Sequence, residues 1–530
     1  MAQSVRRNSR IAFGLADLKF VLADLRHTKR LLSILRTLGR YDCLFLFDEA
    51  PLSPLIRWML RLLAGRPDPS ATRLREGERL AAALHTLGPS FIKLGQALSV
   101  RGDIVGQAIA DDLGQLRDRL PPAPWGAARQ ILAVEIGAAP ETVFETIDPE
   151  PVAAASIAQV HFAVTLAGEP VALKILRPDI EQAFARDLAL FSWLADTAER
   201  RYPPVRRLRP GDVVATLATT VAQEMDLRLE AAAASELAEN LAGVHGFRLP
   251  RVLWQLTGRR VLAMERISGT PVDDVESLRR QGHDLSALAN RVIQVFLTQA
   301  LAHGFFHADM HHGNLFVDAD GSLVAVDFGI MGRLDRPTRL FMAEMLYSFL
   351  TADWRRAAEV HFRAGYVPAD RSIEAFAQAC RAVGEPILGR PVSEISLGRL
   401  LAQLFQITEI FGMRTQPHLL LLQKTMVTVE GVARTLDPQV NFWDAARPVI
   451  QPWAEDNLSP EARLRDGIED GLATLKLLPD ALRALRERLE RPDPASAEHA
   501  KAPSDVARAD FWAVLAIGLL ALLVLNLVFR

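Results

Sequence analysis

The spacing of apolar positions along this 530-residue chain changes several times, and each change marks a boundary. Over residues 1–40, Ile11, Phe13, Leu15, Leu18, Leu22, Leu25, Leu31, Leu32 and Leu35 predict one or two amphipathic helices within a first segment, 1–64. The breaker cluster Gly-Arg-Pro-Asp-Pro-Ser at 65–70 closes it. Helical patterning resumes as a second segment, 71–147, with a Pro-rich interruption ending at Pro124 and a new helix from Trp125. At 148 the pattern becomes strand-like. Residues 152–164 and 171–176, around a Gly168-Glu169-Pro170 turn, read as strand, hairpin, strand. A helical insert, 178–245, follows, and then two strands, 249–254 and 260–267, about Thr257-Gly258-Arg259. The third segment is therefore 148–267. In the fourth, 268–490, a helix over 285–303 feeds short strands at 315–317 and 323–326. Helical patterning then runs from 336 to about 490, with breaks expected near Pro368, Pro386, Pro417 and Pro448. Residues 491–510 are a linker.

Residues 511–529 contain no charge over nineteen positions. As a helix they reach about 28 Å, near the thickness of a bilayer core. Trp512 sits where an interfacial aromatic anchors a span. Arg483, Arg486, Arg488, Arg491, Lys501 and Arg508 precede it, and the positive-inside rule then keeps the bulk of the chain cytoplasmic. The expected localisation is the inner membrane, with a single C-terminal anchor. Residues 1–40 carry nine Lys/Arg against two Asp, a net +7. A membrane-surface helix, an ordinary solvated basic face and an organellar leader all share that signature. The whole chain has a net charge of −2, which gives no argument for nucleic-acid binding. Cys43 and Cys380 are far apart and have no metal-ligand spacing, as in a reducing compartment.

Candidate chemistry concentrates at His307-Ala308-Asp309-Met310-His311-His312-Gly313-Asn314 and Asp327-Phe328-Gly329. A carboxylate, an amide five positions on and a second carboxylate eighteen positions on are the parts of a phosphoryl-transfer site. Asp309 would stand near the attacking hydroxyl, and Asn314 and Asp327 would ligate Mg²⁺ on a nucleotide. Upstream, Val171-Ala172-Leu173-Lys174-Ile175 is similar to the protein-kinase strand whose Lys pairs the nucleotide phosphates. Glu224, Asp226 and Glu230 are acids in an Ala-rich helical segment, and Asp226 and Glu230 share a face at i,i+4. The strand ending at Met264 and Glu265 leads into Ser268-Gly269-Thr270-Pro271, as at the hinge between kinase lobes. Lys93 and Gln96 lie on one face of an otherwise apolar helix, and burying that Lys demands a carboxylate partner.

Together these motifs resemble the UbiB/ABC1/ADCK family of atypical kinases, from about Lys93 to the C-terminal span. Lys93-Leu94-Gly95-Gln96 is similar to the family's KxGQ, and Glu224-Met225-Asp226 to its ExD. Ala153, Ala154, Ala155, Ser156, Ile157, Ala158, Gln159 and Val160 resemble the Ala-rich loop that replaces a Gly-rich nucleotide loop. The resemblance implies an α+β, two-lobed kinase-like fold with an N-terminal helical extension and a C-terminal transmembrane helix. It implies ATP (or ADP) and Mg²⁺ as cofactors, with Met264 and Glu265 in the nucleotide pocket and Glu230 holding Lys174. It makes the Lys93 helix a lid whose Lys meets the ExD acid. The implied role is ubiquinone biosynthesis, on membrane lipid and polyprenyl quinone precursors, with other biosynthetic proteins and a second copy of the chain as partners. A nucleotide-gated scaffold and a true protein kinase remain alternatives. A hydroxylase is rejected, because no flavin fingerprint, haem Cys or metal facial triad is visible. Met310 and His312 depart from the family's prolines, His311 stands where protein kinases have Lys, and one span replaces the two common in bacterial relatives.

Overall fold

The computed structural model describes residues 27–459, apart from 48–53, 100–104, 115, 117–119, 202–208, 389–406, 408–409 and 414–416. The predicted membrane span 511–529, the linker 491–510 and residues 1–26 lie outside the described residues.

The chain opens on a helical hairpin, α1 (Thr28–Arg40) and α2 (Pro54–Ala64), followed by α3 (Glu76–Leu87), α4 (Pro89–Ser99) and α5 (Gln107–Leu113). Leu31, Leu35 and Leu38 put the apolar stripe of α1 into the protein core. Gly39 lets α1 and α2 touch, since a Cβ there would lie 2.4 Å from the Ala64 carbonyl oxygen. The apolar side of this basic helix therefore faces protein, and only its charged side is left for anything else.

A five-stranded antiparallel sheet forms the N-lobe: β1 (Phe144–Ile147), β2 (Ala153–Ala154), β3 (Ala158–Thr165), β4 (Pro170–Leu176) and β6 (Val261–Glu265), in the order β1-β3-β4-β6 with β2 on β3. Register assigns its two faces. Val160 and Leu262 stand opposite Lys174, and Met264 opposite Ala172, so these side chains share one face. Leu173, Ile175, Ala163 and Val261 face the other way, onto α6 (Trp125–Ile136). Thus β1 and α6 belong to the sheet lobe, although the sequence had placed them in the helical extension. The four residues of β1, Phe-Glu-Thr-Ile, are too few to show a period of two.

The insert is three helices, α7 (Ile180–Arg201), α8 (Pro210–Glu224) and α9 (Leu227–Asn240). The acids read as lying in one helix are divided by a break at Met225, where Asp226 caps α9 through its own carboxylate. The predicted strand at 249–254 is corrected as well. Only β5 (Phe247–Arg248) and a single bridge, Val252 to Met264, pair there, and Trp254–Leu256 turns as a 3₁₀ helix.

In the C-lobe, α11 (Leu285–Thr298) follows the short α10 (Val275–Arg280) and β7 (Thr270–Pro271), and it ends in a π-helical turn, Gln299–His303. Among the described residues, 285–303 is the one helix long and apolar enough to cross a membrane. More than half of it is buried between α15 (Pro417–Leu436) and α16 (Phe442–Leu458), the setting of a core helix. β8 (Phe305–His307) pairs with β11 (Met331–Arg333), while β9 (Leu315–Val317) and β10 (Leu323–Ala325) join β5 and β7. Then come α12 (Arg336–Leu350), α13 (Trp354–Arg363) and α14 (Ile373–Leu388). Pro386 and Pro448 are not breaks. Pro386 sits in the last turn of α14, and α16 carries Pro448 because Ala446, Ile450 and Ala454 are buried around it.

Candidate active site

The site assembles where the sheet face bearing Lys174 meets α9 and the loops after β8 and β10. Lys174 Nζ donates to Glu230 Oε1 at 2.7 Å and to Asp327 Oδ1 at 3.0 Å. Glu230 also accepts the Phe328 N–H at 3.2 Å, so one buried carboxylate fixes both the strand lysine and the Asp-Phe-Gly turn. Burial opposes the charge on Lys174, but Asp327 and Glu230 outweigh it and raise its pKa. Partial loss of water around its half-exposed side chain pushes the Asp327 carboxyl up, and Lys174 reverses this and holds it at about 2. Glu230 is shifted upward by burial, the larger effect, against the pull of Lys174. Asp327 occupies the left-handed region at φ 62, which an aspartate tolerates better than most residues.

The catalytic loop is organised by His307. Its backbone N–H donates to the buried Gln299 side chain at 2.9 Å, and its Nδ1 accepts from Asp309 N–H at 3.1 Å. The proton therefore sits on Nε2, 3.2 Å from the Val326 carbonyl oxygen. This is a neutral tautomer, and burial lowers the His307 pKa accordingly. The Asn314 amide nitrogen donates to the Asp309 carbonyl oxygen at 3.1 Å, which leaves its Oδ1 for a ligand. Val326 N–H donates to Asn314 O at 2.9 Å and so ties the two proposed metal ligands together through the backbone. His311 Nδ1 accepts from Gly313 N–H, and Nε2 faces Asp309 Oδ2 at 3.8 Å. Met310 is buried and His312 is exposed, so the two departures from proline fall on loop packing and on solvent.

The Ala-rich loop closes on itself. Ala155 N–H donates to Ala158 O at 2.8 Å. Arg177 pins the loop from below, donating from Nε to Ala155 O at 2.7 Å and from Nη1 to Pro121 O at 2.8 Å. Ser156 is fully buried, and its Oγ has no partner among the described residues. Ala153, Ala154, Ile157, Ala158 and Val160 surround it in β2, β3 and the turn between them. Gln159 is a correction. It lies on the opposite face from Lys174, and its side chain holds Ala123 N–H and His161 rather than turning to the nucleotide side. Met264 shares the face of Lys174, whereas Glu265 pairs with Arg248 at 2.9 Å.

On the lid side, Lys93 Nζ meets Glu224 Oε2 at 2.7 Å, with only 10% and 15% of the two side chains exposed. Asp226 does not join them. It pairs with Arg228 at 2.6 Å, and that hydrogen bond lowers its pKa. Gln96 is half-buried on α4. Glu224 and Glu230, six residues apart, hold the lid lysine and the strand lysine respectively.

Four residues that sequence reasoning missed complete the frame: Gln299, Arg177, Arg30 and Thr425. Thr425 Oγ1, from α15, lies 3.1 Å from Ala308 O and 2.8 Å from Leu421 O, and its one proton is shared between these two carbonyls. Arg30 Nε and Nη2 donate to Asp187 at 2.8 Å each, and Nη2 also donates to Leu87 O at 2.9 Å. No signal in the sequence marks them: Gln299 directly follows Thr298, and Thr425 follows Gln423 and Lys424.

The group implied at this site is Mg-ATP, and the donor set fits it. Asp327 is half-exposed and Asn314 offers an amide oxygen, both hard ligands suited to Mg²⁺. Lys174 and the orphaned Ser156 hydroxyl offer donors to phosphate.

A strand lysine held by a helix glutamate, an ordered Asp-Phe-Gly and a catalytic loop between two lobes define an atypical kinase-like protein. Residues 115–361 match the ABC1 atypical kinase-like domain, and residues 380–441 match the UbiB helical domain. A Pseudomonas entomophila (strain L48) protein named "Probable protein kinase UbiB" is 40% identical over 496 residues, 92% of each chain. Its namesake in Pseudomonas aeruginosa (strain UCBPP-PA14) is 40% identical over 485 residues, 90% of each chain. A solved Mycobacterium tuberculosis protein in complex with erythromycin is similar at 22% identity and a TM-score of 0.48, covering 67% of this chain and 91% of that one. The chain belongs to the UbiB family of ABC1 atypical kinase-like proteins.

Proposed function

We propose that this chain is a membrane-anchored, Mg-ATP-dependent atypical kinase or ATPase of ubiquinone biosynthesis, acting on or extracting lipophilic precursors. The observation that carries the reading is the double engagement of Lys174 by Glu230 and Asp327 within 3.0 Å. Mg-ATP, when bound, supplies an activated phosphoryl group. Asn314 and Asp327 are the residues to hold the ion, and Lys174, fixed by Glu230, is the residue to neutralise the phosphates. Asp309 orients the acceptor and takes its proton, and the acceptor is water or a lipid-borne hydroxyl. The Lys93–Glu224 pair keeps α4 in place as a lid that excludes peptides. The Ala155 N–H, already bonded within its loop, supports a site that grips nucleotide less closely than a glycine loop does. The charge-free segment 511–529 supplies the anchor.

Purified full-length protein in detergent is expected to hydrolyse ATP, and Asp327→Asn to abolish the activity. Equal phosphate release from both would overturn the catalytic reading in favour of a nucleotide-gated scaffold. Quinone profiling of cells carrying Asp309→Asn tests the pathway, and a normal ubiquinone content in that strain removes it.

A further inference from the structure

Two side chains at the root of the Ala-rich loop reach away from the nucleotide side. Arg177 holds the loop twice, donating from its backbone N–H to Ile157 O at 2.8 Å and from Nε to Ala155 O at 2.7 Å. The far edge of the same guanidinium donates to Pro121 O at 2.8 Å and to Leu120 O at 3.2 Å. Gln159, just past the loop, accepts Ala123 N–H at 2.8 Å. Among the described residues, 120–123 make no backbone–backbone hydrogen bond, so these two side chains seat the segment on the sheet. The segment leads from the helical extension into α6. Leu116, shortly before it, lies directly on α4, where a Cβ on Gly95 would come within 2.6 Å of Leu116 Cδ1. Gly95 is two residues from Lys93. A path of chain and contacts therefore runs from the loop, through Arg177 and residues 120–124, to the lid.

The loop held in this way is not arranged for a phosphate. Ala155 N–H is spent on Ala158 O, and the Ser156 hydroxyl is fully buried without a partner among the described residues. A buried orphan hydroxyl costs stability, and the bonds of Arg177 offset it. Turning Ser156 toward a phosphate rotates the planar Ala155–Ser156 peptide, and the rotation takes Ala155 O off the guanidinium.

We propose that Arg177 is a positioning residue that sets nucleotide affinity by clasping the Ala-rich loop to residues 120–124, so that nucleotide binding and order in α4 oppose one another. This rests on Mg-ATP binding beside Lys174. When nucleotide draws Ala155 O away, the guanidinium loses an anchor, residues 120–121 loosen with it, and Leu116 lifts from Gly95. Linkage makes the effect reciprocal: whatever loosens the clasp strengthens nucleotide binding.

The test uses the full chain in detergent with Mg²⁺ and an ATP analogue carrying a methylanthraniloyl fluorophore on its ribose. Arg177→Gln should bind the analogue at least about fivefold more tightly than wild type, the lower end of a coupling between two sites. Arg177→Lys should tighten it as well, because a point charge cannot span three carbonyls as the fork does. Damage to the fold alone would weaken binding instead. Leu116→Ala, outside the loop, should also tighten it, and the double variant Leu116→Ala with Arg177→Gln should bind no more tightly than Arg177→Gln, since both cut one path. Hydrogen exchange across residues 89–99 should speed up when wild type takes the analogue, and should be fast with or without it in Arg177→Gln. Unchanged or weaker binding by Arg177→Gln, strictly additive effects of the two substitutions, or a wild type that binds the analogue without any change in α4 exchange would each overturn the clasp alone. If Arg177→Gln does not fold, Leu116→Ala decides, and binding no tighter than wild type overturns the clasp. A wild type that does not bind the analogue at all overturns the nucleotide reading itself, and the clasp with it.

Discussion

At the scale of single residues, the site is built on shared partners rather than separate pairs. Glu230 serves Lys174 and Phe328 N–H together, so Glu230→Gln loosens both the strand lysine and the Asp-Phe-Gly turn. Its expected effect is a loss of ATP turnover on the order of 100-fold, within the range for displaced catalytic groups, with near-native circular dichroism. Steady-state hydrolysis alongside wild type checks it. Asp327 gives a pH prediction with a definite sign. Its folded pKa of about 2 lies below the unfolded value, about 3.9. Its contribution to stability is therefore fully present above about pH 4 and is lost as pH falls toward 2. Urea unfolding of wild type and Asp327→Asn between pH 5 and pH 2.5 should show the wild type losing more stability, and parallel curves would refute the linkage. Much of this scale was legible in the sequence. Lys174, Asp309, Asn314 and Asp327 sit in motifs whose spacing is set by the reaction, and Glu230 falls one helical turn past Asp226. Gln159 was not legible. Its parity on β3 turns it from the nucleotide face, and parity needs the register with Lys174, which depends on where β3 begins.

At the scale of elements, the catalytic loop is supported by a core helix distant from it in sequence. Helix α15 lies about a hundred residues downstream, within the region matching the UbiB helical domain, and its Thr425 Oγ1 reaches Ala308 O. Thr425→Val keeps the shape but removes the one proton that Ala308 O shares with Leu421 O, a cost of about 0.5–1.5 kcal/mol. Since Ala308 adjoins Asp309, kcat should fall several-fold while the KM for ATP stays near wild type. A change in KM alone would place Thr425 in nucleotide binding instead. Elements were read less well than residues, for identifiable reasons. The break between α8 and α9 rests on Met225, which has no helix-breaking chemistry of its own, while Asp226 caps from a position that also fits mid-helix. Residues 249–254 have strand-like composition, but only one bridge, Val252 to Met264, forms on the free edge of β6 before Trp254–Leu256 turns as a 3₁₀ helix. Prolines at 386 and 448 overstate their effect, since packing on the core outweighs one lost hydrogen bond.

At the scale of the whole molecule, the basic hairpin and the nucleotide site are joined through one arginine. The outer side of α1 is charged, and Arg30 on its inner side grips the α3–α4 turn through Leu87 O and α7 through Asp187, with its guanidinium 5.1 Å from the Phe91 ring centre. Phe91 in turn stands edge-on to Phe191 of α7 at 5.1 Å. The turn itself is a natural pivot, because Gly88 sits at φ +103 between two helices. From there α4 runs to Lys93, Lys93 to Glu224, and the following cap leads to Glu230 and Lys174. No pattern in the sequence revealed this chain of contacts, because Arg30 and Asp187 are 157 residues apart and each alone looks like a surface charge. Replacing Arg30 with Lys keeps the charge but cannot make the paired bonds to Asp187 together with the bond to Leu87 O. Asp187 is almost wholly buried, so its loss of partners should destabilise the lid region by about 1–3 kcal/mol. Hydrogen exchange should then show faster exchange across α4, at residues 89–99, while β4 and β6 keep their protection. Because α4 bears Lys93, basal ATP hydrolysis should change together with that exchange and not with global unfolding. Unchanged exchange in α4 beside wild-type turnover would break the link between the hairpin and the lid, leaving the Lys93–Glu224 pair to hold α4 without help from α1.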